Sequence, residues 1–323
     1  MPKKRAKRRP LPPDGTHADG DTGKVIGRKG PVYFVLDQHG QTCPCVARGS
    51  GKKAVIGDEV EFVANVASEM ADGLLTAVLP RRSQLKRADA LGRRAQILAA
   101  NVDKIIIVVS PTPPMREGLI DRYLVAASSQ LIPPAIVFNK LDLVSAEERS
   151  GFDARLDVYR NIGIECLSVS AHDKTGLEQL VQLLSHGTSM LVGHSGVGKT
   201  SLINQVCPGV EERVQAISEA SGRGQHTTTT SWIYSLPGGG QIIDSPGIRS
   251  FGLWGIAENE LREHFVEFRA FADECRFGDC QHLREPKCAV RAAVEAGLIH
   301  ARRYASYVSM RETLLGEADG PNR

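Results

Sequence analysis

The chain has 323 residues, enough for two or three domains, and its 41% hydrophobic and 24% charged content is ordinary for a globular protein. Net charge is +3, but Lys3, Lys4, Arg5, Lys7, Arg8 and Arg9 crowd the first nine residues, so the rest of the chain is net acidic. The longest apolar run, IIIVV at 105–109, is far below the roughly 20 residues of a membrane span, and no apolar stretch comes after the basic start, which predicts a cytoplasmic protein with no membrane partner.

Residues 1–23 join the basic run to the Pro- and Gly-rich PLPPDGTHADGDTG, a composition that buries too little apolar surface to order itself. A disordered basic tail is expected there. It suits RNA phosphates and simple solubilisation equally well. From 24 to 80, KVIG, PVYFVLD, TCPCVAR, DEVEFVANV and GLLTAVL alternate with turn signals, which predicts a small β-barrel. Arg28, Lys29, Arg48, Lys52 and Lys53, mostly in the expected loops, are candidate RNA contacts, with solvated loop charge as the plain alternative. Tyr33 and Phe34 alternate faces, so at least one belongs to the core.

Residues 81–101, RRSQLKRADALGRRAQILAAN, read as a basic, partly helical linker. Its RRSQLKR is a basic patch suited to RNA or simply to joining domains. From 102 to 256 the strands in DKIIIVVS, AIVFNK, IECLSVSA, SMLV, SWIYSL and QIIDSPG alternate with helices, the pattern of a mainly parallel sheet with ligands at its strand ends. Residues 257–315 are expected to be helical around a Cys/His cluster, and 316–323 to be a disordered tail.

GHSGVGKTS at 193–201 has the G-x-x-x-x-G-K-[ST] spacing of a phosphate-binding loop. Backbone N–H groups of Gly193, His194, Ser195, Gly196, Val197 and Gly198 would converge on phosphates at a helix N-terminus. Lys199 would reach the β- and γ-phosphates, the Thr200 hydroxyl would ligate Mg²⁺, and Ser201 completes the segment. In IIDSPG, Asp244 ends a strand where it can hold Mg²⁺ through water, and Gly247 can offer its N–H to the γ-phosphate. In NKLD, Asp142 can accept from guanine N1–H and the 2-amino group, a donor pair that adenine lacks. Asn139 can bond the base edge, and the stem of Lys140 can cover its face. SVSA adds Ser170 and Ala171, with an N–H for guanine O6. Together these motifs point to GTP.

A Ras-like GTPase runs phosphate loop, switch threonine, D-x-x-G, N-K-x-D, S-A. Here NKLD and SVSA come first and GHSGVGKT, HTTTT and DSPG come after, so the same cycle is opened at another point. Thr228 is the expected switch ligand of Mg²⁺. The residue after DSPG is Ile248, which cannot orient water, so His226 in GRGQHTTTT is the candidate catalytic group. Cys275, Cys280, His282 and Cys288 have the spacing C-x₄-C-x-H-x₅-C, which suits one closed, structural zinc site per chain.

A strand-rich N-terminal segment, the permuted motif order and CRFGDCQHLREPKC together resemble the RsgA (YjeQ) family of bacterial GTPases, which act in late maturation of the small ribosomal subunit. The resemblance covers roughly residues 24–315. It implies a multi-domain α/β chain: an OB-fold RNA-binding barrel over 24–80, a circularly permuted Ras-like GTPase domain over 102–256, and a zinc-binding helical domain over 257–315. It also implies a catalytic histidine at His226 and GTP hydrolysis that the small subunit and its rRNA stimulate; a monomer is expected. A GTP-dependent RNA tether with negligible hydrolysis is the competing expectation.

Overall fold

The structure is a computed structural model and describes residues 20–47, 54–64, 71–88, 95–210, 231–244 and 255–318. His226, Thr228, Gly247 and Ile248 lie outside the described residues, as do Arg48, Lys52 and Lys53.

Strands β1 (Asp21–Lys29), β2 (Val32–Asp37), β3 (Thr42–Ala47), β4 (Glu59–Ala64) and β5 (Gly73–Val78) run in the order β1-β2-β3-β5-β4, and β4 closes back onto β1. Only the β3–β5 pair is parallel. A five-stranded closed barrel of this kind is the OB architecture. The strand pattern obeys the period of two: in β4, Val60 and Phe62 point inward while Glu59 and Glu61 do not. Val25, Tyr33, Val35, Cys45 and Leu75 fill the interior with them. Phe34 is buried on the opposite face, so both aromatics are core and neither is free to stack on RNA. β1 begins at Asp21, inside the stretch expected to be tail, because residues 21–24 pair with β4, a contact invisible to composition.

Residues 81–101 depart from the expected helical linker. β6 (Gln84–Ala88) and β7 (Ala95–Ala100) form an antiparallel pair between the barrel and the larger sheet. Tertiary contacts override the local helix formers here. Arg81 forks onto the buried Asp58 carboxylate at 2.6 and 2.8 Å, Arg82 meets Asp103 at 2.8 Å, and Ala100 N–H donates to the Ile56 carbonyl. Two of the basic residues considered for RNA are therefore fastening the domains.

The nucleotide-type sheet comprises β8 (Lys104–Val109), β9 (Pro134–Phe138), β10 (Glu165–Ser168), β11 (Thr188–Val192), β12 (Trp232–Ser235) and β13 (Gln241–Asp244), in the order β10-β9-β8-β11-β13-β12. All pairs are parallel except β12–β13. Ile105–Val109 are buried along β8, as expected for a central strand covered on both faces. Among the described residues four helices flank the sheet: α1 (Glu117–Ser128), α2 (Ala146–Arg160), α3 (Leu177–Leu184) and α4 (Lys199–Val206). A capping box starts α2: Glu148 N–H donates to Ser145 Oγ, and Ser145 N–H donates to the Glu148 carboxylate. At its far edge β12 pairs with β1, so the sheet runs unbroken into the barrel.

Beyond residue 255 the helix expected over NELREHFVEFRAFADEC is instead two 3₁₀ turns, Leu261–His264 and Val266–Phe268, and one turn at Arg269–Ala272. Phe265 and Phe268 turn inward onto Tyr307, with ring centroids 5.3 and 5.0 Å away. Gly297 (φ 74°) then separates α5 (Ala289–Glu295) from α6 (Ala301–Ala318), which runs past the expected end of order at 315. This module sits on α1. Arg303 bonds Asp121 at 2.6 Å and Glu267 at 2.7 Å, all three buried, and Arg302 reaches Glu117 at 2.8 Å. All seven cysteines are free, and no described helix is long and apolar enough to cross a membrane.

Candidate functional site

The strand ends of β8, β9, β10, β11 and β13 gather the motif residues along one edge of the sheet. The phosphate loop, 193–198, leaves the buried strand β11 and enters α4 directly. Gly198 ends it at φ 92°, and a Cβ there would overlap the Asn139 amide, so only glycine fits. Lys199 Nζ donates to the carbonyls of Gly193 (2.8 Å) and His194 (2.9 Å), which places the ammonium over the loop. Burial lowers its pKa from the ordinary lysine value, with Asp244 opposing, and burial raises that of Asp244, with Lys199 opposing. The two charges thus face each other where phosphate and a divalent cation would lie. Thr200 and Ser201 occupy the first turn of α4, both exposed.

The residues expected to read the base converge from two other loops. Lys140 stands in the left-handed region (φ 63°) and its Nζ donates to the Thr112 carbonyl at 2.7 Å, which stretches its stem along the cleft. Ser170 Oγ donates to Asp142 Oδ1 at 2.5 Å and so fixes the carboxylate. Asn139, 1% exposed, also braces the site from within. Its Nδ2 donates to the Val197 carbonyl (2.9 Å) and its Oδ1 accepts from Ala171 N–H (3.2 Å). It clamps the phosphate loop, NKLD and SVSA together. An open cleft of about 440 Å³ results, lined by Asn139, Lys140, Asp142, Ala171, Gly198 and Ser201, within the usual size of a small-molecule site. Leu143, His172 and Gln205 also line it and were missed. Leu143 and His172 come directly after NKLD and SVSA, and Gln205 lies one helical turn after Ser201, so adjacency and the i,i+4 spacing could have found them.

The second cluster lies in the helical module beyond residue 257. Cys275, Cys280, His282 and Cys288 bring their ligand atoms within 4.8 Å of one another. His282 Nδ1 is 3.6 Å from Cys275 Sγ and 3.4 Å from Cys288 Sγ, and the two sulfurs are 4.0 Å apart. A tetrahedral ion with roughly 2.3 Å bonds to sulfur spaces its ligands about 3.5–3.8 Å apart, so the donor set fits. Burial, with the neighbouring thiols adding to it, pushes Cys280 up to about 12, a cost that a bound cation would offset. Outer contacts hold the frame. Arg291 N–H donates to Cys288 Sγ, Tyr304 and Tyr307 donate to the carbonyls of His282 and Gln281 at 2.7 Å, and the Glu285 carboxylate takes the N–H groups of Gln281, Leu283 and Arg284.

A family model for the RsgA GTPase matches residues 78–254. The chain is 44% identical to the small ribosomal subunit biogenesis GTPase RsgA of Actinobacillus succinogenes, over 88% of this chain and 82% of that one. YjeQ from Thermotoga maritima superposes with a TM-score of 0.74 at 31% identity, covering 92% of this chain and 99% of that chain. YloQ, described as a circularly permuted GTPase, gives 0.70 at 27% identity over 97% and 100%. With the barrel, the permuted strand order and the Cys₃His group all in place, the chain belongs to the RsgA family of circularly permuted GTPases and is a GTP-hydrolysing enzyme.

Proposed function

We propose that this GTPase binds the small ribosomal subunit through its rRNA and assists late maturation in the cytoplasm, with turnover that the subunit stimulates. The observation that carries the guanine reading is Asp142, braced by Ser170 and fastened through Asn139 to the phosphate loop. The name of the relatives, small ribosomal subunit biogenesis GTPase, supports the partner. In this reading the backbone of 193–198 and Lys199 hold the phosphates, and Thr200, Thr228 and Asp244 would hold Mg²⁺, which supplies neutralising charge at the γ-phosphate. Gly247 offers an N–H there, and His226 orients the attacking water. The barrel over 24–80 faces RNA with its loops, and the protein works as a monomer.

GTP turnover measured with and without purified small subunits tests this. A rise of about 10²-fold or more at saturating subunits is expected, the lower end of what assembling a catalytic group achieves. Firm subunit binding with no rise in turnover would instead mark a GTP-dependent tether.

In the same reading the Cys₃His group holds one zinc. Metal analysis of the purified chain is expected to find one equivalent, and Cys280→Ser to lose it. Because structural zinc contributes roughly 10 kcal/mol or more to a segment that short, the variant should also lose protease protection beyond residue 257. A metal-free wild-type chain with that protection intact would remove the assignment.

A further inference from the structure

Trp232 is in register with Gly27 of β1 on one side and with Asp244 of β13 on the other. Cross-strand residues in register project from the same face of a sheet, so the indole and the carboxylate draw on the same space. The indole has gone to the barrel side. It lies over Gly27, where any Cβ would overlap the ring, and Phe34 of β2 closes the seat at a centroid distance of 5.0 Å. Trp232 is 8% exposed there. Both of these neighbours belong to the barrel, and Lys24 Nζ, donating to Gln241 Oε1 at 2.7 Å, ties β1 to the start of β13. Asp244 is left to face Lys199.

We propose that Gly27 is a positioning residue for the nucleotide site: it gives the Trp232 indole room on the barrel side, keeps it clear of Asp244, and so makes cation binding beside the phosphate loop depend on how the barrel is seated. This rests on the reading of Asp244 as the cation-side carboxylate. A side chain at 27 expels the indole from its seat, and the space next in register is that of Asp244. The barrel thereby contributes to a site whose cleft none of its described residues lines.

Trp232 is one of two tryptophans, so Trp254→Phe leaves it as the sole indole reporter in the full chain. In that background, loaded with a non-hydrolysable GTP analogue, Trp232 emission is recorded during Mg²⁺ titration, and the Mg²⁺ requirement of turnover is measured in parallel. Emission is expected to respond to Mg²⁺. Gly27→Ala should raise the midpoint of both curves about tenfold, a usual size for coupling between sites. Adding Trp232→Ala to Gly27→Ala should return the Mg²⁺ requirement of turnover to the wild-type value, because the obstruction is the indole itself. Emission blind to Mg²⁺, a wild-type midpoint in Gly27→Ala, or a double variant as impaired as the single overturns the proposal. Asp244→Asn separates the two layers. If it leaves the Mg²⁺ requirement unchanged, the reading of Asp244 fails; if it raises the requirement while Gly27→Ala does not, the coupling alone fails. Zinc content and the thermal transition report whether each variant is folded, and the emission titration of the single-tryptophan chain stands if Gly27→Ala is not.

Discussion

Asp142→Asn is expected to weaken GTP binding on the order of 10²–10⁴-fold, since two hydrogen bonds to a charged acceptor contribute roughly 1.5–3 kcal/mol each. The substitution preserves shape. Ser170 can still donate to the side-chain oxygen at position 142, as it does to Asp142 now. What changes is the other arm, which becomes an NH₂ donor facing the guanine 2-amino group, donor against donor. Xanthine carries an oxygen at that position, so XTP should become the preferred nucleotide, while ATP remains poor in both proteins. Competition binding with GTP, XTP and ATP reads all three. Unaltered GTP affinity in the variant would take Asp142 out of the base site.

His226→Ala is expected to lower subunit-stimulated turnover by about 10²-fold or more, the scale of a positioned acid–base group, with GTP affinity close to wild type. In the proposed reading the imidazole orients water and does not hold phosphate, work that would fall to the loop at 193–198 and Lys199. The variant should therefore remain on the small subunit in its GTP form. Turnover is compared at saturating subunit, so that a binding defect does not mimic a chemical one. A wild-type stimulated rate would assign water positioning to another group, and Ile248, directly after DSPG, could not be that group.

Much of this architecture is legible in local pattern. The five barrel strands announce themselves by alternation and turns, the sheet by apolar runs that end in polar motif residues, and the Cys₃His group by spacing, because in each case the signal lies within a few residues. What eluded the sequence depends on contacts between distant residues. The spacing of NKLD gives no sign that Asn139 also braces the site through Val197 and Ala171. Arg81 looks like an RNA contact until Asp58 is found beside it. The hairpin β6–β7 is built from residues that favour helix in isolation, and only its pairing and its anchors at Gly57 and Ile56 select the strand.

The strand order also sets a timetable for the nascent chain. The barrel is complete by Val78, and its strands can close as soon as they emerge. The larger sheet cannot form in the same way. β8 pairs with β9 early, but its other neighbour, β11, arrives only with Thr188–Val192. From Lys104 to its register partner Ser189, synthesis at about 5–20 residues per second takes roughly 4–17 s. Throughout that interval the edge of β8, Ile105 to Val109, is unpaired, and a half-built sheet with an apolar open edge is the kind of species that aggregates. Opening the GTPase cycle before its base-reading half therefore places the phosphate-loop strand, the one in the middle of the sheet, among the last to be made, and leaves the vulnerable stage to the ribosome exit and whatever shelters it.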